Sequence, residues 1–339
     1  MSPKEIVCMN TPAVLYALRW LIYDTFRQAL SSRVFWIMFG CSTLCIVFCL
    51  GVSVEGGTIK DEGELFTPSG KVLSGPNPEP GELSLLFGVF RANFSRSAEQ
   101  EVHFVLSIFA SWVAGTVGIL MALVWTAGFL PEALHASAAS VLLAKPVPRW
   151  LFLTGKYLGV ICFVALHAAI FFLGTWLAVG IRTGIWPTEY LMGAPILVFH
   201  FTVIFSFSVM LAVQFRSTMA CVVGGVLFWI ACYGINYGRH FAVAYAELNP
   251  SGPPISALTV FLSELGYWLL PKPVDFTICL EKALNLGVGK MTLEMQQPFQ
   301  TVLRPDSDLF HPLLAILSSC GFSGFALWTS AAHLAKTDY

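Results

Sequence analysis

The sequence predicts an all-α integral membrane protein: six transmembrane helices, an N-terminal interfacial amphipathic helix and two extracytoplasmic insertions. Three observations predict it. Of 339 residues, 56% are hydrophobic and 12% charged, with a mean hydropathy of +0.72, whereas soluble domains carry about 25% charged residues. Six apolar runs reach the roughly 20 residues that a helix needs to cross a bilayer. The short segments between those runs sort into basic and non-basic ones, which orients the chain.

The chain opens with a cytoplasmic or interfacial region, 1–33. Within it Val14, Leu15, Leu18, Leu21, Ile22, Thr25 and Phe26 follow a helical period, and Arg19, Asp24, Arg27 and Gln28 mostly lie off that stripe. Thr11 can cap the start, with Pro12 at the first helical position. The pattern fits a helix lying in the membrane interface, or one packed on a partner protein. Arg19, Arg27 and Arg33 interrupt any signal-peptide core, so the segment is expected to stay.

The membrane domain, 34–334, holds the six runs at 34–54, 104–130, 151–181, 190–215, 217–237 and 311–334. Lys4, Arg19, Arg27 and Arg33 precede the first. Lys145, Arg149 and Lys156 follow the second, Arg216 follows the fourth, and Lys336 lies in the tail, 335–339. Cytoplasmic N- and C-termini put all of these on the inner side, and the external 183–189 turn then has no Lys or Arg.

Two insertions, 55–103 and 238–310, then lie outside. The first is acidic and rich in Gly and Pro, then amphipathic from Leu83 to Phe104, where a helix leading into the second span is expected. In the second, 255–270 is apolar, bounded by Pro254 and Pro271, and marginal for crossing. An interfacial or re-entrant helix is expected there; a true span would move the tail to the other side.

Several function classes find no support in the residues. Net charge is −1, and no basic stripe with interleaved aromatics suggests nucleic acid. Of nine cysteines, only Cys8 and Cys279 fall in polar segments, expected on opposite sides, so no disulfide framework follows. Cys41, Cys45 and Cys49 share one helix face, as packing residues or, less simply, a metal relay. No hydrolase or metalloprotease motif occurs. Gly287-Val288-Gly289-Lys290-Met291-Thr292 imitates a phosphate loop, but Leu284 stands where its first Gly belongs and Met291 where Ser or Thr belongs. No catalytic or metal residue is assigned.

The segment 130–159, LPEALHASAASVLLAKPVPRWLFLTGKYLG, carries the sharpest pattern. Glu132 directly follows a span, an Ala/Leu-rich helix former follows, Pro146 and Pro148 end it, and KPVPRW leads into GKYLG. This pattern, with SSRVFW before the first span, resembles the permeases of type 2 ABC exporters: the multicopper-maturation, bacitracin-resistance and gliding-like membrane subunits. The resemblance implies that a coupling loop at 131–150 docks on a separate ATPase through Glu132, His135, Ser137, Lys145, Pro146 and Arg149. One departure is Ala133-Leu134-His135-Ala136-Ser137-Ala138-Ala139, where the family carries a Gly-rich, acidic-then-SGT stretch.

The resemblance further implies two P-loop ATPase subunits that carry ATP and Mg, no cofactor in this chain, and no enzyme activity of its own. It implies a second permease copy or paralogue, and a bacterial inner membrane. Cargo would be amphiphilic, or the stroke a mechanical signal. An intramembrane lipid-modifying enzyme, built on residues such as His167, His200 and Glu264, and a structural or sensory protein without an ATPase are the alternatives.

Inside the spans, Gly155 and Gly159 allow close helix packing, internally or across a dimer. His167, His200, Gln214 and Asn236 are polar residues within apolar runs and are candidates for a substrate path, against the simpler reading of hydrogen-bonded packing. His167 and His200 could pair near the midplane, touch substrate or bind a metal, although two histidines without a carboxylate make a poor metal site.

Overall fold

The computed structural model of the protein describes residues 11–31, 33–56, 59–60, 64–66, 72–74, 77–78, 81–94, 97–134, 148–248, 255–283 and 311–336. Six of its helical segments are long and apolar enough to cross a membrane: Arg33–Leu50, Ala98–Leu134, Arg149–Thr183, Thr188–Phe215, Thr218–Ala246 and Pro312–Lys336. The chain is thus a multi-pass, predominantly helical membrane protein. Large apolar side chains such as Trp36, Leu44, Leu227, Leu317 and Trp328 stand exposed on these helices. That is the reverse of a soluble surface and suits a hydrocarbon solvent.

Helix α1 (Thr11–Ser31) precedes the first span, α2 (Arg33–Leu50). Its buried face is Ala17, Leu21, Thr25 and Ala29, one residue per turn, and it packs on the helix Arg149–Thr183. Of the expected apolar stripe Leu15 is exposed, as are Tyr16 and Tyr23, which lie off that stripe. The face chosen is the one with small residues, which lets the two backbones approach.

After α2 come short strands: β1 (Ser53–Glu55), β2 (Ile59–Lys60), β3 (Glu64–Phe66), β4 (Val72–Ser74), β5 (Asn77–Pro78), β6 (Gly81–Leu85) and β7 (Phe90–Phe94). β1, β6 and β7 form one antiparallel sheet, with Leu83 opposite Val54 and Ala92. This corrects the helix expected over 83–104. Glu82 and Ser84 alternate with Leu83 and Leu85, a period of two, and Gly88 at φ 96° closes a hairpin. Leu86 and Phe87 also take positive φ, at 49° and 57°. The Phe87 N–H donates to Gly51 O at 3.0 Å, and a Cβ on Gly51 would come 3.0 Å from Phe87 N. Only glycine lets the turn sit that close to the end of α2.

Ser97 then caps α3 (Ala98–Ile108) by accepting from the Gln100 N–H, with Glu99 and Glu101 in the first turn. The span therefore starts six residues before the expected 104. It continues through a ten-residue π-helix, Phe109–Gly118, into α4 (Ile119–Thr126) and α5 (Phe129–Leu134). Helix α6 (Arg149–Thr183) is 35 residues long, about 52 Å, and ends on Gly184 in the left-handed conformation. Helix α7 (Gly193–Phe215) turns tightly through Arg216, also left-handed, into α8 (Thr218–Leu248).

Helix α8 runs well beyond the expected end at 237. Helices α9 (Ala257–Leu269) and α10 (Pro273–Ala283) follow. At 13 residues, about 20 Å, α9 is too short to cross the roughly 30 Å hydrocarbon core. Helix α11 (Pro312–Lys336) is the sixth span and packs along α7. Two large apolar clusters form the interior. One, towards α1, centres on Leu21, Phe163, Phe201 and Phe205; the other, towards the sheet, centres on Val102, Phe109, Phe172 and Tyr190.

Candidate functional site

Three places bring the candidate residues together. The first is the end of the bundle where α1, α5 and α6 meet. Lys156 of α6 is enclosed, with 4% of its side chain exposed, and its Nζ pairs with Asp24 Oδ2 of α1 at 2.7 Å. It also donates to Gln28 Oε1 at 3.4 Å. The other end of the Gln28 amide, Nε2, donates to Glu132 Oε2 of α5 at 3.1 Å. Only this orientation of the Gln28 amide offers an oxygen to the ammonium and an N–H to the carboxylate. Glu132, Gln28, Lys156 and Asp24 thus form one polar chain across three helices.

Glycines make that meeting close. A Cβ on Gly155 would lie 2.8 Å from Leu21 Cβ, and one on Gly159 would lie 2.6 Å from Thr25 Oγ1. Gly155 and Gly159 therefore serve internal packing against α1. At the start of α6, Arg149 Nη1 donates to Leu334 O at 3.1 Å and Ala335 O at 3.3 Å. A guanidinium there satisfies carbonyls that the end of α11 leaves open and complements its dipole. Glu132 and Arg149, the described residues at the two ends of the 131–150 segment, are each tied to a different helix. His135, Ser137, Lys145 and Pro146 lie outside the described residues.

The second place is a cavity of about 270 Å³ between α2, the π-helix and α6. Cys41, Cys45, Val117, Met121, His167 and Phe171 are among its lining residues. His167 is 4% exposed, and neither ring nitrogen has a hydrogen-bond partner. Its ring lies 4.8 Å from Phe163 and 5.1 Å from Phe35, centroid to centroid. The π-helix contributes Val113, Ala114, Val117 and Gly118 to the wall. Its widened turns bring carbonyls close: a Cβ on Gly115 would sit 3.1 Å from Ala110 O. Such π segments recur at functional sites.

His167 does not pair with His200. His200, also 4% exposed, stacks on Phe276 of α10 with centroids 5.0 Å apart. The two histidines face different helices, so the expected midplane pair does not form. Gln214 is exposed at the end of α7 and takes part in no buried path.

The third place was largely invisible in the sequence. Asn236 of α8 is 1% exposed and joins a buried polar cluster with His240, Tyr267, Lys272 and Asp275. The Asp275 carboxylate meets three side chains: Asn236 Nδ2 donates to Oδ1 at 2.9 Å, His240 Nε2 lies 2.5 Å from the same oxygen, and the Tyr267 hydroxyl donates to Oδ2 at 2.7 Å. Lys272 Nζ donates to Ser318 Oγ of α11 and lies 4.7 Å over the Tyr267 ring. Arg239 pairs with Glu264 of α9 at 3.0 Å, and its guanidinium lies 4.4 Å over the Tyr267 ring. Burial pushes the Lys272 ammonium down to about 8, opposed by the Asp275 charge and reinforced by Arg239. Burial, then the Asp275 charge, pushes the Tyr267 phenol up. This cluster ties α8, α9, α10 and α11 together, with Asn236, His240, Tyr267, Lys272 and Asp275 all buried. Its one sequence signal was the Asn236–His240 spacing of four, legible only if α8 continues past 237.

Among the described residues every cysteine is free, and no three His, Cys, Asp or Glu side chains converge as a metal-ligand set. No protein-family model matches the chain, and no curated protein sequence does either.

Proposed function

We propose that this chain is the membrane-spanning permease subunit of an ATP-binding-cassette exporter, driven by ATPase subunits on separate chains. The observation that carries the reading is the pair of anchors at the ends of the coupling segment. Glu132 reaches α1 through Gln28, and Arg149 holds the end of α11. A rigid-body push on 135–147 is therefore delivered to the first and last helices together. That is what a segment seated on a closing ATPase dimer needs to move spans.

In this reading the N-terminus and the coupling loop are cytoplasmic, and α1 lies along the inner face of a bacterial inner membrane. Two P-loop ATPases bind ATP and Mg, and a second permease copy or paralogue completes the assembly. The β1–β6–β7 sheet and the α8–α10 cluster then stand at the outer end, where the stroke reaches cargo or an external partner.

A photoreactive amino acid at Ser137, in the full chain in its native membrane, tests the reading. It is expected to cross-link a nucleotide-binding ATPase, and ATP with vanadate is expected to change the yield. Cross-links to lipid alone would remove the basis for the proposal.

A further inference from the structure

We propose that the cavity between α2, the π-helix and α6 is a binding site for one uncharged, single-chain amphiphile, whose hydroxyl or carbonyl group hydrogen-bonds His167. This goes beyond the transport reading and stands on the cavity alone, whether or not an ATPase drives the chain.

Four observations carry it. First, the space is large enough: engineered apolar cavities near 150 Å³ hold a benzene ring, and this cleft, open on the side where Leu44 and Val117 are exposed, measures about 270 Å³. That is just under the roughly 300 Å³ at which drug-sized pockets begin, so a slender hydrocarbon fits and a bulky polycycle does not. Second, the lining is apolar apart from His167, Cys41, Ser42 and Cys45, and contains no Lys, Arg, Asp or Glu. A charged ligand would lose its hydration there and gain no counter-charge.

Third, His167 is enclosed with both ring nitrogens unpartnered. Buried polar groups are nearly always satisfied, and an orphan calls for a ligand or a functional cause. Neutral imidazole presents one N–H donor and one acceptor, which suits a hydroxyl on either side or a carbonyl on the donor. Fourth, one wall of the cavity is the ten-residue π-helix. This costlier backbone places Val113, Val117 and the side-chain-free Gly118 on the cavity instead of filling it.

The occupant is a single-chain molecule rather than a bilayer phospholipid. The cavity lies at mid-span on α2 and α6. A phospholipid chain at that depth is bare hydrocarbon and leaves His167 unsatisfied, while its phosphate would need a cation that the lining lacks.

The test uses the purified full chain in lipid nanodiscs and a diazirine-bearing dodecanol as probe. Labelling is mapped by mass spectrometry and competed with dodecanol, dodecane or excess phospholipid. The expected result is saturable labelling on α2, the π-helix and α6, displaced by dodecanol about tenfold more effectively than by dodecane. His167→Leu should erase that preference, and His167→Gln, which keeps a donor and an acceptor, should retain part of it. Ala168→Phe, or Val117→Phe from the π-helix wall if the first variant does not fold, should abolish the labelling. Labelling that never saturates and spreads over Leu317 and Trp328 of α11, or that excess phospholipid displaces, would overturn the proposal. So would an alcohol preference that persists in His167→Leu.

Discussion

Asn236 both caps α10 and grips Asp275 with a single amide. Its Oδ1 accepts the backbone N–H groups of Val274 and Asp275 at 2.8 and 3.2 Å, and its Nδ2 donates to the Asp275 carboxylate at 2.9 Å. The first N–H groups of a helix have no partner within it. A residue 38 positions earlier on α8 supplies one here. The short helices outside the spans are therefore held to the bundle by a buried polar tie rather than by apolar packing alone.

Asn236→Ala and Asp275→Ala should each destabilise the protein. Asn236→Ala orphans two N–H groups and weakens the hold on a buried carboxylate. Asp275→Ala leaves Tyr267, Asn236 and His240 without their common acceptor. Breaking a buried charged network from one side costs about 3–5 kcal/mol. Thermal unfolding in detergent should show a clear drop for both. Midpoints equal to the parent's would mean that the cluster contributes nothing.

Lys272 makes stability depend on pH with a definite sign. Its ammonium falls from 10.5 to about 8 on folding, so the unfolded chain binds more protons between those values. Stability then rises with pH through that window, by up to about 3 kcal/mol for a single group. The Tyr267 phenol is shifted upwards, so above its ordinary value near 10 it opposes the rise. The net expectation is a stability that climbs from about pH 8 towards 10 and then flattens or falls. Lys272→Met should remove the climb; a flat profile in the parent chain would contradict the assignment.

The α1–α6 contact depends on two missing side chains. Gly155→Ala forces a methyl against Leu21, and overpacking of this kind costs about 1–3 kcal/mol. Leu21→Ala in the same molecule should return part of that loss, because the two changes share one contact. Protease protection of α1 in the single and double variants provides the readout. Loss in the single variant with no recovery in the double would place the strain elsewhere.

Asp24→Asn leaves the enclosed Lys156 ammonium without its counter-charge. Hydrogen bonds to charged groups are worth about 1.5–3 kcal/mol, and the partial exposure of Asp24 places the loss near the lower end. The double change Asp24→Asn with Lys156→Met should be milder than Asp24→Asn alone. Melting curves of the three variants decide it, and a double variant weaker than both singles would speak against the pair.

The six spans were legible because bilayer thickness imposes a length and an apolar composition that survive without any tertiary information. Boundaries were less so. α8 was expected to end at 237, where Arg239 and His240 break the apolar run, yet both side chains find partners in the folded chain and the helix continues. The 83–94 hairpin differs from the helix expected there because a short alternating stretch next to a span resembles an amphipathic helix until its pairing with Val54 is known. The polar cluster escaped entirely apart from Asn236. Its members come from 236–240, 267 and 272–275, and no local pattern announces that they converge. Gly155 and Gly159 were identified by their spacing, but only the fold shows that α1 fills the groove.

The most direct test of the permease reading is co-purification. The tagged full chain is extracted in mild detergent from its own organism, alongside a variant carrying Glu132→Lys and Arg149→Glu. The reading predicts a stoichiometric P-loop ATPase with the parent chain and its loss from the variant, with both proteins equally abundant and monodisperse. Recovery of the parent chain with no ATPase under those conditions would contradict it.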